Sequence, residues 1–217
     1  MPTPPSDGHT AIRSLDEARR QAEGCRRCDL WANATRTVFG EGLPPAERAG
    51  AGPRLMLVGE QPGDREDRTG HPFVGPAGAV LDRALAEAGI DRARVYVTNA
   101  VKHFKNEPRG KRRLHRRPDA GEIDRCRWWL DLERRFVRPQ VIVALGASAA
   151  RALTGHAVTI SRVRGRVLAL DETGVAPAAR LLVTTHPSYI LRQRDDDTRR
   201  RIFDAMVTDL VLAARQK

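Results

Sequence analysis

The chain has 217 residues, which is enough for one sizeable domain with its own core. A formal net charge of +11 predicts attraction to polyanions, with nucleic acid as the first candidate and an anionic membrane as a weaker second. No apolar run is long enough to cross a bilayer, and the N-terminus lacks the apolar stretch of a secretory signal. We therefore expect a cytoplasmic protein with reduced thiols and no membrane partner.

The first segments combine a polar leader with a close pair of cysteines. Residues 1–13 predict a disordered leader, because Pro, Ser, Thr and Gly leave little to bury. Ser14 and Glu17 form a capping-box pattern that predicts a helix running into Cys25. The pair Cys25-Arg-Arg-Cys28, with Cys126 far along the chain, is typical of a metal or cluster site rather than a disulfide framework. Unpaired thiols are the alternative.

Buried strands and helices alternate through the rest of the chain. After a loop over residues 40–53, four short apolar runs predict strands buried on both faces: Leu55–Val58, Val95–Thr98, Val141–Leu145 and Leu181–Thr185. Helical patterns lie between and after them, over Val80–Ala88, from the capping pattern Asp119-x-x-Glu122, and over Ile202–Val211. This order predicts an α/β fold, a three-layer α/β/α domain over residues 14–217 with a central, mostly parallel four-stranded sheet.

Unusual polar loops follow three of the predicted strands. They are Gly59-Glu-Gln-Pro-Gly63, Asn99-Ala-Val-Lys-His103 and His186-Pro-Ser-Tyr189. Because the carboxyl ends of parallel strands meet at one edge of a sheet, these loops are expected to converge on a single ligand site. Each loop alone is a weak signal, since a tight turn or a surface histidine would explain it.

The loops also form part of an ordered motif set. It comprises Gly59-Glu-Gln-Pro-Gly63, His71-Pro-Phe-Val-Gly-Pro-Ala-Gly78, Thr98-Asn-Ala-Val-Lys-His103, Leu145-Gly-Ala147 and His186-Pro-Ser188. From about Cys25 to the final helix, the chain resembles the uracil-DNA glycosylase superfamily, specifically its iron–sulfur branch of families 4 and 5 and the UdgX group. The insert Lys111-Arg-Arg-Leu-His115 resembles UdgX more than ordinary family 4 enzymes.

The resemblance implies a role for each conspicuous side chain around a flipped base. Phe73 would stack on the base, and the carboxamide of Asn99 would read the uracil edge while failing to match cytosine. Glu60 would support the positive charge that builds on the sugar. His186 would donate a hydrogen bond to uracil O2 as the base leaves as an anion.

The residue after Glu60 departs from the family pattern. Classical members carry at this turn an Asp that orients the attacking water, whereas this chain has Gln61, whose amide cannot accept a proton. Water activation is therefore expected to be poor unless Glu60 takes it over. The resemblance completes the substrate-binding set with Asp64, Asp67, Arg112 and Arg113 beside Gln61, Phe73 and Asn99.

The resemblance also suggests a cofactor. Family 4 members supply four cysteines, and the one after the second strand is replaced here by His103. The set Cys25, Cys28, His103 and Cys126 would then hold a [4Fe–4S] cluster, with zinc as the alternative because Cys₃His is also an ordinary structural zinc set. Such a cluster would act mainly as a structural link between distant segments.

The basic segment Lys105–Arg117 is expected to be a solvated loop that touches phosphates. Within it, the resemblance to UdgX implies that His115 bonds covalently to the deoxyribose C1′ after uracil departs. The four flanking arginines are expected to keep its imidazole neutral by like-charge repulsion. Tyr189-Ile-Leu-Arg192 resembles the wedge loop that fills the space left by the flipped base.

Three functions remain open from the sequence. The first is a self-trapping glycosylase acting once on uracil-containing DNA, including single strands, as a monomer. The second is a conventional family 4-like glycosylase that releases an abasic site. The third is a non-catalytic nucleic-acid-binding protein, which the presence of Glu60, Asn99 and His186 disfavours. A nucleotide-binding Rossmann protein is excluded because no GxGxxG follows the first strand.

Overall fold

The computed structural model describes residues 12–42, 55–110, 112–171 and 176–216. The predicted leader up to residue 11, most of the loop predicted over 40–53, and Lys111 lie outside the described residues. Ile12 is described and is buried in the core with 1% exposure, so the packed part of the chain includes a residue assigned to the leader. Over these ranges, no helix is long and apolar enough to span a membrane.

The strands and helices follow one another along the chain with short connections. The strands are β1 (Leu55–Gly59), β2 (Tyr96–Asn99), β3 (Asn106–Arg109), β4 (Arg112–His115), β5 (Val141–Leu145), β6 (Val167–Leu170) and β7 (Ala179–Thr184). The α-helices are α1 (Leu15–Glu23), α2 (Asp64–Thr69), α3 (Pro76–Glu87), α4 (Ala120–Val137), α5 (Ala147–Thr154), α6 (Ile160–Val163), α7 (Pro187–Leu191) and α8 (Asp196–Ala214). Short 3₁₀ turns cover Asp29–Ala32 and Arg92–Arg94.

Within the described ranges, the central sheet has five strands in the order β2-β1-β5-β7-β6. Four of them run parallel, and β6 pairs antiparallel with β7 at the edge. The predicted α/β class and mostly parallel sheet are confirmed, but the predicted number of four strands was wrong. The sequence hides β6 because it is an edge strand with alternating exposure, in which Val167 is 40% exposed, so no continuous buried run marks it.

The two faces of the sheet carry separate cores, because successive side chains of a strand point to opposite sides. Met56 and Val58 of β1 join the core beneath α1, α4 and α5. Leu55 and Leu57 of the same strand join the core beneath α3, α7 and α8. The predicted three-layer arrangement is therefore confirmed.

Side-chain caps set the starts of two helices at the predicted positions. Ser14 Oγ accepts a hydrogen bond from the Glu17 amide at 3.1 Å, so α1 begins at Leu15. Asp119 and Glu122 form a reciprocal capping box at the start of α4, with distances of 2.9 and 2.7 Å. The predicted capping box at Asp119 is confirmed, whereas at Ser14 only the cap itself forms, because the Glu17 carboxylate accepts from the Arg13 amide instead.

The basic segment after β2 was expected to be a loop, but it forms an antiparallel hairpin of β3 and β4. Asn106 pairs with His115 at the base of the hairpin, and Arg109 pairs with Arg112 near the turn. The hairpin packs on the domain along one side only and its strands are mostly exposed. Its charged residues therefore show no alternation of apolar and polar positions, which is why the sequence pattern does not predict strands.

A buried ion pair lies beneath β2. Lys102 Nζ is 2.6 Å from Glu133 Oε2 of α4, and both side chains are fully buried. The ammonium also donates to Thr98 Oγ1 and to the Asn99 carbonyl, both at 2.7 Å. The carboxylate accepts further hydrogen bonds from the Gly40 amide, the Tyr96 hydroxyl and the Thr98 hydroxyl. A buried charge is tolerated when it has a counter-charge and several hydrogen bonds, as both members of this pair do.

We expect Glu133→Ala to lower the free energy of unfolding by about 3–5 kcal/mol, because it leaves the Lys102 ammonium buried without a counter-charge. Urea unfolding followed by circular dichroism measures the loss. Asp204→Ala is the matched control, since it breaks an exposed pair with Arg200 on α8 and should cost at most about 1 kcal/mol. Equal small losses in the two variants would contradict a stabilising role for the buried pair.

Candidate active site

The polar loops that follow β1, β2 and β7 meet at one edge of the sheet, as predicted. The strand register aligns Gly59 with Asn99 and Leu145 with Thr184, so the loops that follow these strands begin at the same edge of the sheet. A cavity of about 1190 Å³ opens at this edge. The predicted site residues that line it are Glu60, Gln61, Asp64, Phe73, Asn99, His115 and His186.

Phe73 and Asn99 lie against Gly59 at the bottom of the cavity. A Cβ on Gly59 would fall 2.4 Å from Asn99 Oδ1 and 2.5 Å from Phe73 Cζ, so a glycine is required for this close approach. Phe73 has a φ of 57°, a left-handed conformation that costs a residue with a Cβ roughly 1–2 kcal/mol. The start of α3 packs directly on this turn, because a Cβ on Gly78 would lie 1.8 Å from the Phe73 carbonyl oxygen.

The side-chain oxygen of Asn99 is buried and has no hydrogen-bond partner in the described part of the chain. An unsatisfied buried acceptor costs roughly 1–3 kcal/mol, so it is uncommon unless a ligand supplies the donor. The Phe73 ring lies beside it, with its centroid 6.2 Å from that of His186 and the two rings inclined by 30°. The arrangement can bind a flat ligand that presents an N–H to Asn99 and a face to Phe73.

The His186 imidazole is neutral and has a fixed proton position. Its pKa is lowered to about 4, mainly by burial and also by the neighbouring Arg192 and His115. The Ser188 amide donates to His186 Nδ1 at 3.1 Å, so Nδ1 is an acceptor and the ring proton is on Nε2. His186 can therefore donate a hydrogen bond from Nε2 to a developing negative charge.

The Glu60 carboxylate is held by one of its two oxygens. Ser148 Oγ donates to Glu60 Oε2 at 2.6 Å, and Arg117 Nε lies 3.5 Å from the same oxygen. The other oxygen, Oε1, lies 3.8 Å from His115 Nε2, which is too far for a hydrogen bond. Glu60 thus presents a negative charge, with one oxygen facing His115.

Gln61 holds His115 in a defined orientation. The Lys105 amide donates to Gln61 Oε1 at 3.0 Å, which fixes which end of the carboxamide carries the nitrogen. The two protons on Gln61 Nε2 are then directed to the Arg116 carbonyl and to His115 Nε2, each at 2.9 Å. His115 Nε2 therefore accepts, so its lone pair lies in the cavity and the ring proton is on Nδ1.

The pKa of His115 is lowered, in the predicted direction but for a different main reason. Desolvation in the cleft is the largest cause, and the repulsion comes from Arg192, while the Glu60 charge acts in the opposite direction. The arginines flanking His115 on the chain were expected to supply this repulsion. Three of them are neutralised by acids instead: Arg113 by Asp64 and Asp67, Arg116 by Glu107, and Arg117 by Glu60.

The structure gives Asp67 and Arg113 contacts within the protein rather than in the cavity. Arg113 donates to Asp64 at 2.6 Å and to Asp67 at 2.5 Å, and Asp67 is fully buried. Asp67 also accepts from the Thr35 amide at 3.0 Å. These contacts anchor the hairpin to the domain and so position His115, although both residues were expected to bind substrate. Arg112 is exposed on the outer part of the hairpin and does not line the cavity.

The proposed wedge segment forms α7. Tyr189 and Leu191 are each 45% exposed at the cavity rim, whereas Ile190 is buried in the core beneath. The exposed apolar tip is therefore formed by the residues on either side of Ile190.

The three cysteines are free, buried thiols, and Cys126 lies near the pair Cys25 and Cys28 although it is far from them in sequence. Burial is the main cause that raises the pKa of Cys126 to about 12; Lys102 opposes it, and the neighbouring Cys28 and Cys25 add to it. Trp129 Nε1 donates to Cys25 Sγ at 3.1 Å, and the Lys102 amide donates to Cys126 Sγ at 3.2 Å. These contacts connect the end of α1 to α4 and to the loop after β2.

The fourth predicted ligand has another contact. His103 is buried, its Nε2 lies 2.9 Å from Thr37 Oγ1, and burial lowers its pKa to about 4. Over the described ranges, no group of three or more His, Cys, Asp or Glu side chains is arranged to hold a metal ion. The donor chemistry still fits a thiolate-bound group, because three buried thiols and a neutral buried imidazole flank the same loop.

Two residues at the cavity were missed by the sequence analysis. Ser148, which holds Glu60, comes three residues after β5, so the rule that ligands bind at strand ends would have selected it. Arg164 lines the cavity just before the unpredicted strand β6. No sequence signal separates Arg164 from the many other arginines.

Comparison with known proteins identifies the family. Residues 47–211 match the model of the uracil DNA glycosylase superfamily. The chain is 36% identical to the Type-4 uracil-DNA glycosylase of Thermotoga maritima over 197 residues, which cover 90% of this chain and 93% of the relative. It is 35% identical to the Type-4 enzyme of Archaeoglobus fulgidus, with 83% and 84% covered, and 29% identical to the Type-5 enzyme of Pyrobaculum aerophilum, with 83% and 85% covered. The chain therefore belongs to the uracil-DNA glycosylase superfamily.

Proposed function

We propose that this protein excises uracil from DNA and that His115 then bonds to C1′ of the exposed sugar, as in the UdgX group. The observation that carries the first step is the buried, unpartnered Oδ1 of Asn99 beside the Phe73 ring. Uracil supplies what is missing there, an N3–H donor on a flat ring. Cytosine has no hydrogen on N3, so it would leave the acceptor unsatisfied, and this gives the pocket its selectivity.

The neighbouring groups fit the charges that develop during bond cleavage. When the bond between N1 and C1′ breaks, its electron pair leaves with uracil, and His186 Nε2–H donates to the anionic O2. Because the low pKa of His186 keeps the ring neutral, Nε2–H can donate to the anion without transferring its proton. The cationic sugar is stabilised by the carboxylate of Glu60, which Ser148 and Arg117 hold in place.

The second step follows from the orientation of His115. Its Nε2 lone pair lies in the cavity, held by the Gln61 amide, and can form a bond to C1′ while the Gln61 contact is released. The product imidazolium then loses its Nδ1 proton to solvent, so that a neutral N-linked imidazole remains. Such a group is a poor leaving group, and the adduct should persist as a single-turnover complex.

A conventional glycosylase is the second candidate. The curated relatives are named Type-4 uracil-DNA glycosylases, and Glu60 Oε1 has no hydrogen-bond partner among the described residues, so it can orient a water molecule. In that case water attacks C1′ and a free abasic site is released. The two candidates differ only in the nucleophile, and His115 distinguishes them.

We further propose that Cys25, Cys28, Cys126 and His103 hold a [4Fe–4S] cluster, with zinc as the alternative. Support comes from the approach of the three buried cysteines and from a buried imidazole on the loop that contacts Cys126. When bound, the cluster would supply a rigid covalent connection between α1, α4 and the loop after β2. That loop begins with Asn99, so the connection would help to position the base-reading residue.

DNA containing uracil, including single-stranded DNA, is the proposed partner, with the protein acting as a monomer in the cytoplasm at the nucleoid. The formal charge of +11 supports a polyanionic partner. A single-stranded substrate fits because a base that is already unpaired is cheaper to turn into the pocket.

His115 provides the first test. Incubation of the wild-type protein with a uracil-containing oligonucleotide should give a band of protein plus DNA that survives a denaturing gel, heat and alkali. His115→Ala should abolish this band, because no other lone pair is held at the same point. Burial lowers the pKa of His115, so the cross-link should still form at pH 6.5, where an ordinary imidazole is half protonated.

His156→Ala is the matched control, since it removes another exposed histidine, whose hydrogen bonds in the described part of the chain go to the nearby Thr154. It should cross-link like the wild type. Peptide mapping of the adduct to a residue other than His115 would contradict the covalent step. Alkali-sensitive abasic DNA from the wild type, with no cross-link, would establish the conventional glycosylase instead.

Ser148 provides a test of how Glu60 is positioned. Ser148→Ala removes the donor to the ionised carboxylate, so the single-turnover rate of uracil release should fall about ten-fold or more. Ser148→Thr keeps the hydroxyl and should restore part of the rate. Thr208→Ala, which removes an exposed hydroxyl of α8 outside the cavity, is the control and should keep the wild-type rate. A wild-type rate in Ser148→Ala would argue against this positioning role.

The cluster has an optical test. The purified protein should be brown, with broad visible absorption that bleaches on oxidation or chelation. Cys126→Ala should lose the colour and unfold at a markedly lower temperature, because the connection between α4 and the other segments is broken. His103→Cys is the matched variant and should keep the colour, since it supplies a fourth thiolate. A colourless, fully active protein with one equivalent of zinc would establish the alternative.

A further inference from the structure

Arg164 lines the cavity near β6, the outer strand at the opposite end of the sheet from β2 and the hairpin that follows it. It precedes β6, whose antiparallel direction pairs Val167 with Leu182 and Leu170 with Ala179. The beginning of β6 therefore lies near the C-terminal end of β7, at the same sheet edge as His186. The hairpin with His115 follows β2 at the other end of the strand order.

A buried carboxylate holds the Arg164 side chain. Arg164 Nε donates to Asp209 Oδ2 at 2.7 Å, and Thr184 Oγ1, at the end of β7, donates to the same oxygen at 2.5 Å. Asp209 is 3% exposed, so this anchor is part of the core of the domain. The two terminal nitrogens of Arg164 have no hydrogen-bond partner within the described ranges and are not among the buried unpaired atoms. The guanidinium thus lines the cavity with donors that the protein does not use.

Two arginines near Arg164 have no acid partner among the described residues. Arg162 and Arg166 are exposed, and neither forms an ion pair with any acid in the described part of the chain. In the basic segment after β2, by contrast, Arg113 and Arg116 are bound by acids. The charges of Arg162 and Arg166, beside the unused terminal donors of Arg164, are therefore available to an anion from solution.

We propose that Arg164 binds a backbone phosphate of the uracil-bearing strand, with Arg162 and Arg166 adding positive charge beside it. A guanidinium held through Nε presents its two terminal N–H groups as a planar fork, which matches two oxygens of a phosphodiester. DNA would then be bound near both outer strands of the sheet, by the hairpin after β2 and by Arg164 before β6, while one base enters the cavity between them. The inference rests on the proposed action on DNA and adds a phosphate site to it.

The test measures binding without chemistry. The probe is a single-stranded oligonucleotide with one 2′-fluoro-deoxyuridine, whose glycosidic bond resists cleavage, and affinity is measured by fluorescence anisotropy between about 50 and 200 mM salt. Arg164→Gln should weaken binding about ten-fold at low salt. It should also reduce the slope of log K against log salt by about 0.7, the contribution of one phosphate contact on a single strand. Arg164→Lys keeps the charge but loses the Asp209 anchor, so it should keep the slope and lose affinity.

Arg200→Gln is the matched control, because this arginine of α8 pairs with Asp204 and does not line the cavity. It should leave both slope and affinity unchanged. If Arg164→Gln does not fold, the double variant Arg162→Gln and Arg166→Gln replaces it, since neither residue touches Asp209, and its slope should fall. Wild-type slope and affinity in the folded variant, or an equal loss in Arg200→Gln, would overturn the proposal. Failure of the proposed chemistry would show in uracil release and not in these slopes.

Discussion

The fully buried carboxylate of Glu133 constrains the part of the chain on which the site depends. A charge in the core must be matched and fully hydrogen-bonded, which leaves few conformations for the groups around it. Here the carboxylate binds Lys102, whose ammonium also holds the Asn99 carbonyl and whose amide contacts Cys126. One ion pair therefore fixes the end of β2, the start of the loop after it and its contact with α4. Asn99, the proposed base-reading residue, and the cysteine group depend on the same anchor.

His186 and His115 both face the cavity, but one neighbouring donor to each ring gives them opposite hydrogen-bonding properties there. Desolvation lowers the pKa of both, which favours the neutral ring in each case. The Ser188 amide donates to His186 Nδ1, which places the proton on the nitrogen that faces the cavity. The Gln61 amide donates to His115 Nε2, which places the lone pair there instead. In the proposed function, the first ring would donate to the leaving anion and the second would attack the cation that remains.

The acid partners separate two sets of arginines: those that carboxylates bind within the protein, and Arg164, whose terminal nitrogens remain free in the described part of the chain. Arg113, Arg116 and Arg117 lie in the most basic segment, yet each is paired with a carboxylate and serves to build the hairpin or to hold Glu60. Arg164 has an acid partner for Nε alone and keeps its terminal donors free. The density of arginines along the sequence is therefore a poor guide to where an anion binds.

The sequence by itself determined the α/β class, the strand-end position of the site and most of its side chains, because buried parallel strands and capped helices leave strong local patterns. The strand-end rule selected the loops that carry Glu60, Asn99 and His186, whereas Phe73 was selected by the family resemblance alone. The edge strand β6 and the basic hairpin left no such pattern, since alternating exposure and high charge hide a strand.

Only the tertiary structure decided which partner each polar group has. Arg113 binds Asp67, 46 positions away, and Ser148 contacts Glu60, 88 positions away. Gln61 orients His115 across 54 positions, and Asp209 anchors Arg164 across 45. Hydrogen bonding and desolvation depend on distances of a few ångströms, and no local pattern in the sequence specifies such distances between remote residues.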